Sequence, residues 1–464
     1  MSINLDVAAL ANLIRRRETS SEELVGAYLA RIRALNAWYH AYVEVYADEA
    51  MAAARAADLQ LRAGVDLGPL HGIPIALKDI IDIAGRPTTI GSPIHAQRIG
   101  AHTAAHSAAL VRQLQRAGAI VLGKTHMVQF AMGAWGTNEH MGTPRNPWDD
   151  AVHRIPGGSS SGSAVAVAGR LAPLAIGTDT GGSVRVPASY CGITGFKPTA
   201  GRISTEGVAT LSHTLDSVGV FAHSAADART VFDALVPAQP GEWAEAFDAP
   251  RFDVRGMTLA RLPDDFLSDV QPGVRTAYED AVAVYQSLGA RIVTVSLPAS
   301  LAHFKAVTGD IMMTEGAFSF EREITDLSLP VDGSVRPRLL VGLDVPATRY
   351  LAALRERDRL QAELLQRLQG VAGLLTPTTL TTALPLEQVD HGNAPVHYTR
   401  IGNLLQMCGL SVPNGRDADD LPTGLQILCP GGEDRLALFL AEVYQHHTDW
   451  HLARAEPQAE HVPG

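Results

Sequence analysis

The stretch "IPGGSSSGSAVAVAGR", residues 155–170, combines four glycines, one proline and four serines and then continues into small apolar residues. One loop with this composition is the phosphate-binding loop. That loop needs Lys and then Ser or Thr directly after its second conserved glycine, whereas here Gly162 is followed by Ser163 and Ala164. The missing lysine disfavours phosphate binding.

The same stretch also fits the nucleophile elbow of α/β-hydrolases. Gly158, Ser160 and Gly162 form the pattern G-x-S-x-G, which would make Ser160 a nucleophile. Many loops rich in serine and glycine meet so short a pattern, so an ordinary flexible loop is a third alternative. The choice among the three depends on other segments of the chain.

A second glycine-rich segment follows downstream, "GTDTGGSVRVPASYCG", residues 177–192. Its paired glycines allow a tight turn in which successive N–H groups of Thr180, Gly181, Gly182 and Ser183 could point into one small cavity. Such a set of donors is what a tetrahedral oxyanion requires. This segment therefore indicates an oxyanion site.

A lysine ends the apolar run of the segment "HGIPIALKDIID", residues 71–82. A lysine at a strand end is commonly a residue that extends its ammonium group to water, so Lys78 taken alone has a structural interpretation. Its meaning changes when it is considered with the two glycine-rich segments.

Together these segments resemble the amidase signature family, hydrolases built on a serine, a cis-serine and a lysine. The resemblance covers nearly the whole chain, and its 24-residue step from Ser159 to Ser183 agrees with the family. It implies that Ser183 is the nucleophile, Ser159 the cis-serine and Lys78 the terminal base. The motifs that carry it occur in the family's order: "GIPIALKD", "GGSSSGS", "GTDTGGSVRVPASYCG", "GFKPT", "LDSVG", "LTPT" and "GLQIL".

The resemblance implies a relay that needs neither a metal nor an organic cofactor. A serine hydroxyl becomes a good nucleophile only when a base takes its proton, and Lys78 can do so through Ser159 if its amine is neutral. Its pKa would have to fall from about 10.4 to about 8, and burial at a strand end is a sufficient cause. The family also implies a cis peptide between Gly158 and Ser159.

Four further residues are expected to support this site. Asp179 and Arg185 match positions that the family uses to brace the glycine turn, which is also consistent with a simple local ion pair. Ser160 and Ser161 follow the relay serine, and we expect at most hydrogen bonding from them.

Two segments are candidates for the walls of the substrate pocket. The first is residues 130–147, in which Met132, Gly133 and Trp135 are candidate substrate contacts, and the second is residues 397–409. An ordinary packed loop is an equally good interpretation of the first.

Short apolar runs alternate with helical patterns, which predicts an α/β fold. We expect a three-layer α/β/α fold with a mixed, mostly parallel central sheet, and an exposed helix after the capping box of Ser20 and Glu23. The chain is expected to be a single amidase domain over residues 1–464. Its expected parts are an N-terminal helical region (1–65), the signature core (66–235), a variable substrate-side insertion (240–345) and a C-terminal completion of the sheet and helices (346–450).

Composition narrows the class of protein. The 38 basic and 49 acidic residues give a net charge of −11, which predicts neither nucleic-acid nor membrane binding. Three widely spaced cysteines form no zinc or disulfide pattern. Without a signal peptide or an apolar run of about 18 residues, we expect a cytoplasmic enzyme whose partners are a small-molecule amide, water and, by resemblance, a second copy through the N-terminal helix.

The histidines give no metal site in this interpretation. His102 and His106 stand four residues apart on a predicted helix, but no third ligand accompanies them. The group His446, His447 and His451 is interpreted as a polar helix end.

The function expected from the resemblance is hydrolysis of the C–N bond of linear amides through an acyl-enzyme. Esters, carbamates and ureas share the carbonyl geometry and remain alternatives. Others are the glutaminase subunit of a tRNA-dependent amidotransferase, a non-catalytic sensor, and an allophanate or biuret-type hydrolase, which usually has alanine where this chain has Gly181.

Overall fold

A computed structural model of the chain describes residues 5–96, 103–237 and 253–455. Within these ranges the strands form one sheet, in the order β1-β3-β2-β4-β6-β5-β10-β11-β9-β7-β8. The strands are β1 (Tyr42–Val45), β2 (Pro74–Lys78), β3 (Ile120–Thr125), β4 (Leu174–Asp179), β5 (Thr194–Lys197), β6 (Ser217–Ala222), β7 (Thr258–Arg261), β8 (Arg291–Thr294), β9 (Gly373–Pro377), β10 (Cys408–Arg416) and β11 (Pro422–Cys429).

Helices pack against this sheet, which confirms the predicted three-layer α/β/α fold. The α-helices are α1 (Val7–Arg15), α2 (Ser21–Tyr39), α3 (Ala47–Arg62), α4 (Pro93–Ala96), α5 (Ala109–Arg116), α6 (Ser161–Ala168), α7 (Arg185–Cys191), α8 (Ala225–Leu235), α9 (Pro272–Ser287), α10 (Leu301–Thr325), α11 (Arg336–Leu340), α12 (Ala347–Arg367), α13 (Thr399–Leu404) and α14 (Asp434–His446).

The sheet is mixed, but it is not mostly parallel. Among the described strands, six neighbouring pairs are antiparallel and four are parallel. Strand direction was mispredicted because a strand buried on both faces shows the same continuous apolar run whichever way it points. The parallel trio β3-β2-β4 is the part of the sheet that carries the candidate site.

The apolar runs themselves correspond to strands. Every residue of β2, β4 and β6 is buried, so these central strands pack on both faces and tolerate few polar side chains. A lysine or threonine in such a strand is held away from water. This is the environment in which Lys78 lies.

The capping box before α2 is formed as predicted, since Ser20 accepts from the Glu23 N–H and the Glu23 side chain accepts from the Ser20 N–H. The expectation of an exposed helix is wrong. One face of α2, including Leu24 and Tyr28, is buried in the main core.

The region 240–345 contributes both helices and strands. Strands β7 and β8 extend the far edge of the sheet, beyond β9. Helix α10 approaches the candidate site, whereas residues 240–252 lie outside the described part of the chain. The division of the chain into four regions remains our proposal.

The histidines are placed differently from the prediction. His106 precedes α5 and is not on a helix, and His102 lies outside the described residues. His446 ends α14, while His447 and His451 follow it, as a polar helix end requires. In the described ranges no cluster of three or more His, Cys, Asp or Glu side chains could hold a metal ion. None of the helices in those ranges is long and apolar enough to cross a membrane.

Candidate active site

Lys78 ends β2 with its side chain fully buried. Its Nζ donates hydrogen bonds to Ser159 Oγ at 2.8 Å and to Thr178 Oγ1 at 2.8 Å. Thr178 lies on the neighbouring strand β4, so the sheet itself aligns this second acceptor. Two hydroxyl groups therefore fix the position of the amine.

Burial lowers the pKa of Lys78 to about 7, although the negative charges of Asp216 and Asp179 favour its protonated form. A lysine with this pKa is substantially neutral at pH 7 to 8. A neutral amine can accept a proton, so Lys78 has the electrostatic state that a general base requires.

Ser159 lies between Lys78 and the start of α6, and its side chain is fully buried. The peptide bond between Gly158 and Ser159 is cis, as the resemblance implied. The Ser159 hydroxyl accepts from Lys78 and is available as a donor or acceptor to a third group.

Ser183 lies in the turn between β4 and α7 and is 7% exposed. It lines a cavity of about 170 Å³. Within the described residues its hydroxyl makes no hydrogen bond, so the link from Ser183 to Ser159 that a relay would use is not closed in this structure.

The turn that holds Ser183 presents backbone donors, but not all four that were expected. The Gly182 N–H donates to Asp179 Oδ1 at 2.7 Å and is therefore engaged, which corrects its assignment to the oxyanion site. The N–H groups of Thr180, Gly181 and Ser183 make no hydrogen bond with the described residues. These three donors remain for an oxyanion.

Gly182 has a different role in the turn. Its φ is +139°, and a Cβ at this position would overlap Thr399 Oγ1. A Cβ on Gly181, in contrast, would have no atom within 4 Å. Only Gly182 is therefore required to be glycine by the packing of the turn.

Asp179 and Arg185 form a fully buried ion pair behind this turn. Arg185 donates to both carboxylate oxygens, from Nε at 3.0 Å and from an Nη at 2.9 Å. Burial alone would raise the pKa of Asp179, but the charge and hydrogen bonds of Arg185 outweigh it and lower the pKa to about 2. The expected bracing of the turn thus has a geometric basis, since the same carboxylate also holds the Gly182 and Val184 N–H groups.

The C-terminal half of the chain completes this brace with residues that the sequence did not single out. Asn403 donates to Asp179 Oδ1 at 2.9 Å and accepts from Arg185, which also donates to Gln426 at 2.8 Å. Thr399 donates to the carbonyl of Gly181 at 2.7 Å. No local pattern links these positions to residues more than 200 places earlier, so only the fold could identify them.

Thr178 and Asp216 were also missed. Asp216 accepts hydrogen bonds from the Thr180 hydroxyl at 2.6 Å and from the N–H groups of Leu211 and Ser212. Burial raises the pKa of Asp216 to about 6, against the effect of these bonds and of Lys78. The motif "LDSVG" that carries Asp216 was the one available signal.

The neighbouring serines have separate environments. Ser160 Oγ donates to the Thr178 carbonyl at 3.1 Å and accepts from the Thr178 N–H at 3.2 Å, so it fastens α6 to β4. This geometry leaves the Ser160 hydroxyl engaged by backbone, in contrast to an elbow nucleophile. Ser161 Oγ is buried without a hydrogen-bond partner among the described residues.

The predicted pocket walls are partly present. Met132 and Gly133 line the cavity, and the second segment contributes Arg400. Trp135 is not among the lining residues, because its indole stacks on Tyr190 and its N–H donates to a backbone carbonyl. The structure thus corrects the assignment of Trp135 as a substrate contact.

Comparisons with known proteins agree with this geometry. The sequence model of the family described as Amidase matches residues 23–438. A glutamyl-tRNA(Gln) amidotransferase subunit from Acidothermus cellulolyticus is 37% identical over 473 residues, covering 92% of this chain and 91% of that one.

Solved structures show the same similarity. A crystal structure of an amidase superposes with a TM-score of 0.86 at 31% identity, covering 96% of this chain and all of that one. Native peptide amidase from Stenotrophomonas maltophilia gives a TM-score of 0.81 at 30% identity and 97% coverage of both chains.

The curated relatives overturn one expectation, that of a partner set without nucleic acid. Their name describes one subunit of an enzyme for glutamyl-tRNA(Gln), so net charge was a wrong guide to partners. The extent of the family match and the identities above 30% show that this chain belongs to the amidase signature family of enzymes, which act on carbon–nitrogen bonds.

Proposed function

We propose that this chain hydrolyses the side-chain amide of glutamine through an acyl-enzyme on Ser183, as the glutaminase component of a tRNA-dependent amidotransferase. The observation that carries the proposal is the 2.8 Å hydrogen bond from the buried amine of Lys78 to Ser159, close to the cavity that Ser183 lines. The named relatives, at 33–38% identity, favour glutamine and a multi-subunit enzyme over a self-sufficient amidase.

In the first half of the reaction the Ser183 oxygen attacks the amide carbon while its proton passes to Ser159, whose own proton passes to neutral Lys78. Negative charge develops on the carbonyl oxygen and is stabilised by the free N–H groups of Thr180, Gly181 and Ser183. Lys78 then returns the proton through Ser159 to the leaving nitrogen, which departs as ammonia.

In the second half, water attacks the ester on Ser183. The same relay takes a proton from the water and returns one to the Ser183 oxygen, which restores the free serine and releases the acid. Each half-reaction leaves Lys78 neutral, so its low pKa serves both.

Active-site labelling and ammonia release test this proposal together. The purified chain is treated with a small fluorophosphonate and the modified peptide is located by mass spectrometry, and ammonia release from glutamine is measured in parallel. We expect an adduct on Ser183, and loss of both labelling and turnover in Ser183→Ala and Lys78→Ala. Ser287→Ala, at an exposed serine of α9, is the matched control and should behave as the wild type.

The outcomes separate the parts of the proposal. An adduct on Ser160 would contradict the assignment of Ser183 and favour the elbow. Labelling of Ser183 with turnover of other primary amides but none of glutamine would overturn glutamine as the substrate and leave amide hydrolysis in place.

A further inference from the structure

The cavity beside Ser183 is lined by cations that no acidic side chain balances. Its basic lining residues are Lys305, Arg338 and Arg400, and none of its described lining residues is Asp or Glu. A small cavity with this lining favours an anion over a neutral or cationic ligand.

Two of these cations already have partners. Arg338 donates to the carbonyls of Ser334 and Met132, and so ties α11 to the loop that forms one wall. Lys305 is exposed, and its Nζ donates to the carbonyl of Gly392 at 3.3 Å. Their positions are explained by the protein itself.

Arg400 differs from both. It is only 9% exposed, its Nε is buried without a hydrogen-bond partner, and no described carboxylate pairs with it. Burial lowers its pKa to about 10, with no opposing negative charge. A buried guanidinium without a partner is costly, and an anion that entered the cavity would offset that cost.

The position of Arg400 connects it with the reacting group. It directly follows Thr399, whose hydroxyl donates to the Gly181 carbonyl in the turn that carries Ser183. Residue and turn therefore line one cavity, with α13 holding both in register.

We infer that Arg400 is a specificity-determining residue that binds a carboxylate on the acyl part of the substrate. This inference rests on the proposed function, because a primary amide loses only ammonia and every other recognised group must belong to the acyl part. The planar guanidinium donates two parallel hydrogen bonds to a carboxylate, which fixes orientation as well as charge. The same lining offers no acid to an α-ammonium group, so the preferred class is the monoamide of a dicarboxylic acid, with glutamine as a member that carries an additional charge.

The test compares three amides of equal length: glutaramate, which is glutamine without its amino group, glutamine itself, and neutral glutaramide. For the wild type we expect kcat/KM for glutaramate to exceed that for glutaramide by about 10-fold or more, and to be at least equal to that for glutamine. In Arg400→Met the value for glutaramate should fall about 10- to 100-fold through KM, while that for glutaramide stays within about threefold. Arg400→Lys should restore part of the loss, since it keeps the charge without the fork.

The control is Arg255→Met, at an exposed arginine paired only with Asp253, which should leave all three substrates unchanged. An equal loss for glutaramate and glutaramide in Arg400→Met, or a wild-type preference for glutaramide, would overturn the inference. Persistence of turnover in Ser183→Ala would instead overturn the proposed function.

A measurement on the wild type alone covers the case in which variants fail to fold or these amides are not turned over. Glutarate should slow fluorophosphonate labelling of Ser183 at concentrations where 1,5-pentanediol has no effect, at constant ionic strength. Equal protection by the two compounds, or none by glutarate, would show that no carboxylate is bound.

Discussion

The properties of Lys78 follow from its place in the sheet. A lysine at the end of a strand buried on both faces loses hydration, which lowers its pKa, and the sheet supplies Thr178 as a second acceptor for its amine. The opposing charges of Asp216 and Asp179 keep the pKa near 7 instead of lower. Three positions distant in sequence therefore set one titration.

This titration predicts the pH dependence of the reaction. Since the neutral amine is the proposed base and the pKa of Lys78 is lowered to about 7, activity should be low below pH 6, rise about tenfold per pH unit, and level off above pH 8. The measurement is kcat/KM for the best amide from pH 5 to 9, together with the rate of fluorophosphonate labelling.

Both profiles should share one midpoint, because both report the same base. A rate that falls as the pH rises through 7 would contradict a neutral lysine base. A profile that is flat from pH 5 to 9 would do the same.

At the scale of elements, the turn between β4 and α7 is held from two sides. Asp179 and Arg185 support it from behind, and α13 packs on its outer side through Thr399. The contact is so close that the position opposite Thr399 accepts only glycine, whereas the position before it is open.

A pair of alanine substitutions tests this difference. Gly182→Ala should lower the free energy of unfolding by about 1–3 kcal/mol or more, because the new Cβ meets Thr399 and the residue must keep a positive φ. Gly181→Ala should change it by less than about 1 kcal/mol, since its Cβ enters open space. Urea denaturation of both variants measures the difference.

Gly181→Ala is the matched control, one residue away in the same turn. Equal destabilisation by the two substitutions would mean that α13 does not pack on the turn as described. A stable Gly182→Ala variant would have the same meaning.

At the scale of the whole molecule, one sheet joins the two halves of the chain. Strand β5 of the first half pairs with β10 of the second, and β11 and β9 connect β10 to β7 and β8. Removal of the C-terminal strands would therefore leave the edge of β5 unpaired and separate β7 and β8 from the rest.

A fragment of residues 1–345 tests whether the chain is a single domain. It lacks β9, β10 and β11, so we expect it to aggregate, because an exposed edge of buried apolar strands invites intermolecular pairing. Size-exclusion chromatography measures this, and co-expression with residues 346–464 should restore soluble protein. A monomeric fragment with its own cooperative unfolding transition would contradict the single-domain proposal.

Local patterns were informative wherever a property depends on neighbours in sequence. The capping box of Ser20 and Glu23 and the apolar runs of the central strands are of this kind, and each is present in the fold. The direction of the strands, the engagement of the Gly182 N–H and the stacking of Trp135 depend on residues far away in the chain, so these predictions were wrong. Net charge failed for a related reason, since it averages over the surface and carries no information about an assembly.

The sequence by itself determined the family, the α/β class and the identity of Lys78, Ser159 and Ser183 as candidates, because these depend on residue types in a fixed order. The tertiary structure alone decided which groups surround them. It placed Asn403 and Gln426 behind the turn, gave Lys78 a second acceptor, and left Arg400 buried without a partner in the cavity. The physical reason is that hydration, pKa and pairing depend on distance in space, and a sheet that interleaves both halves of the chain makes that distance independent of separation in sequence.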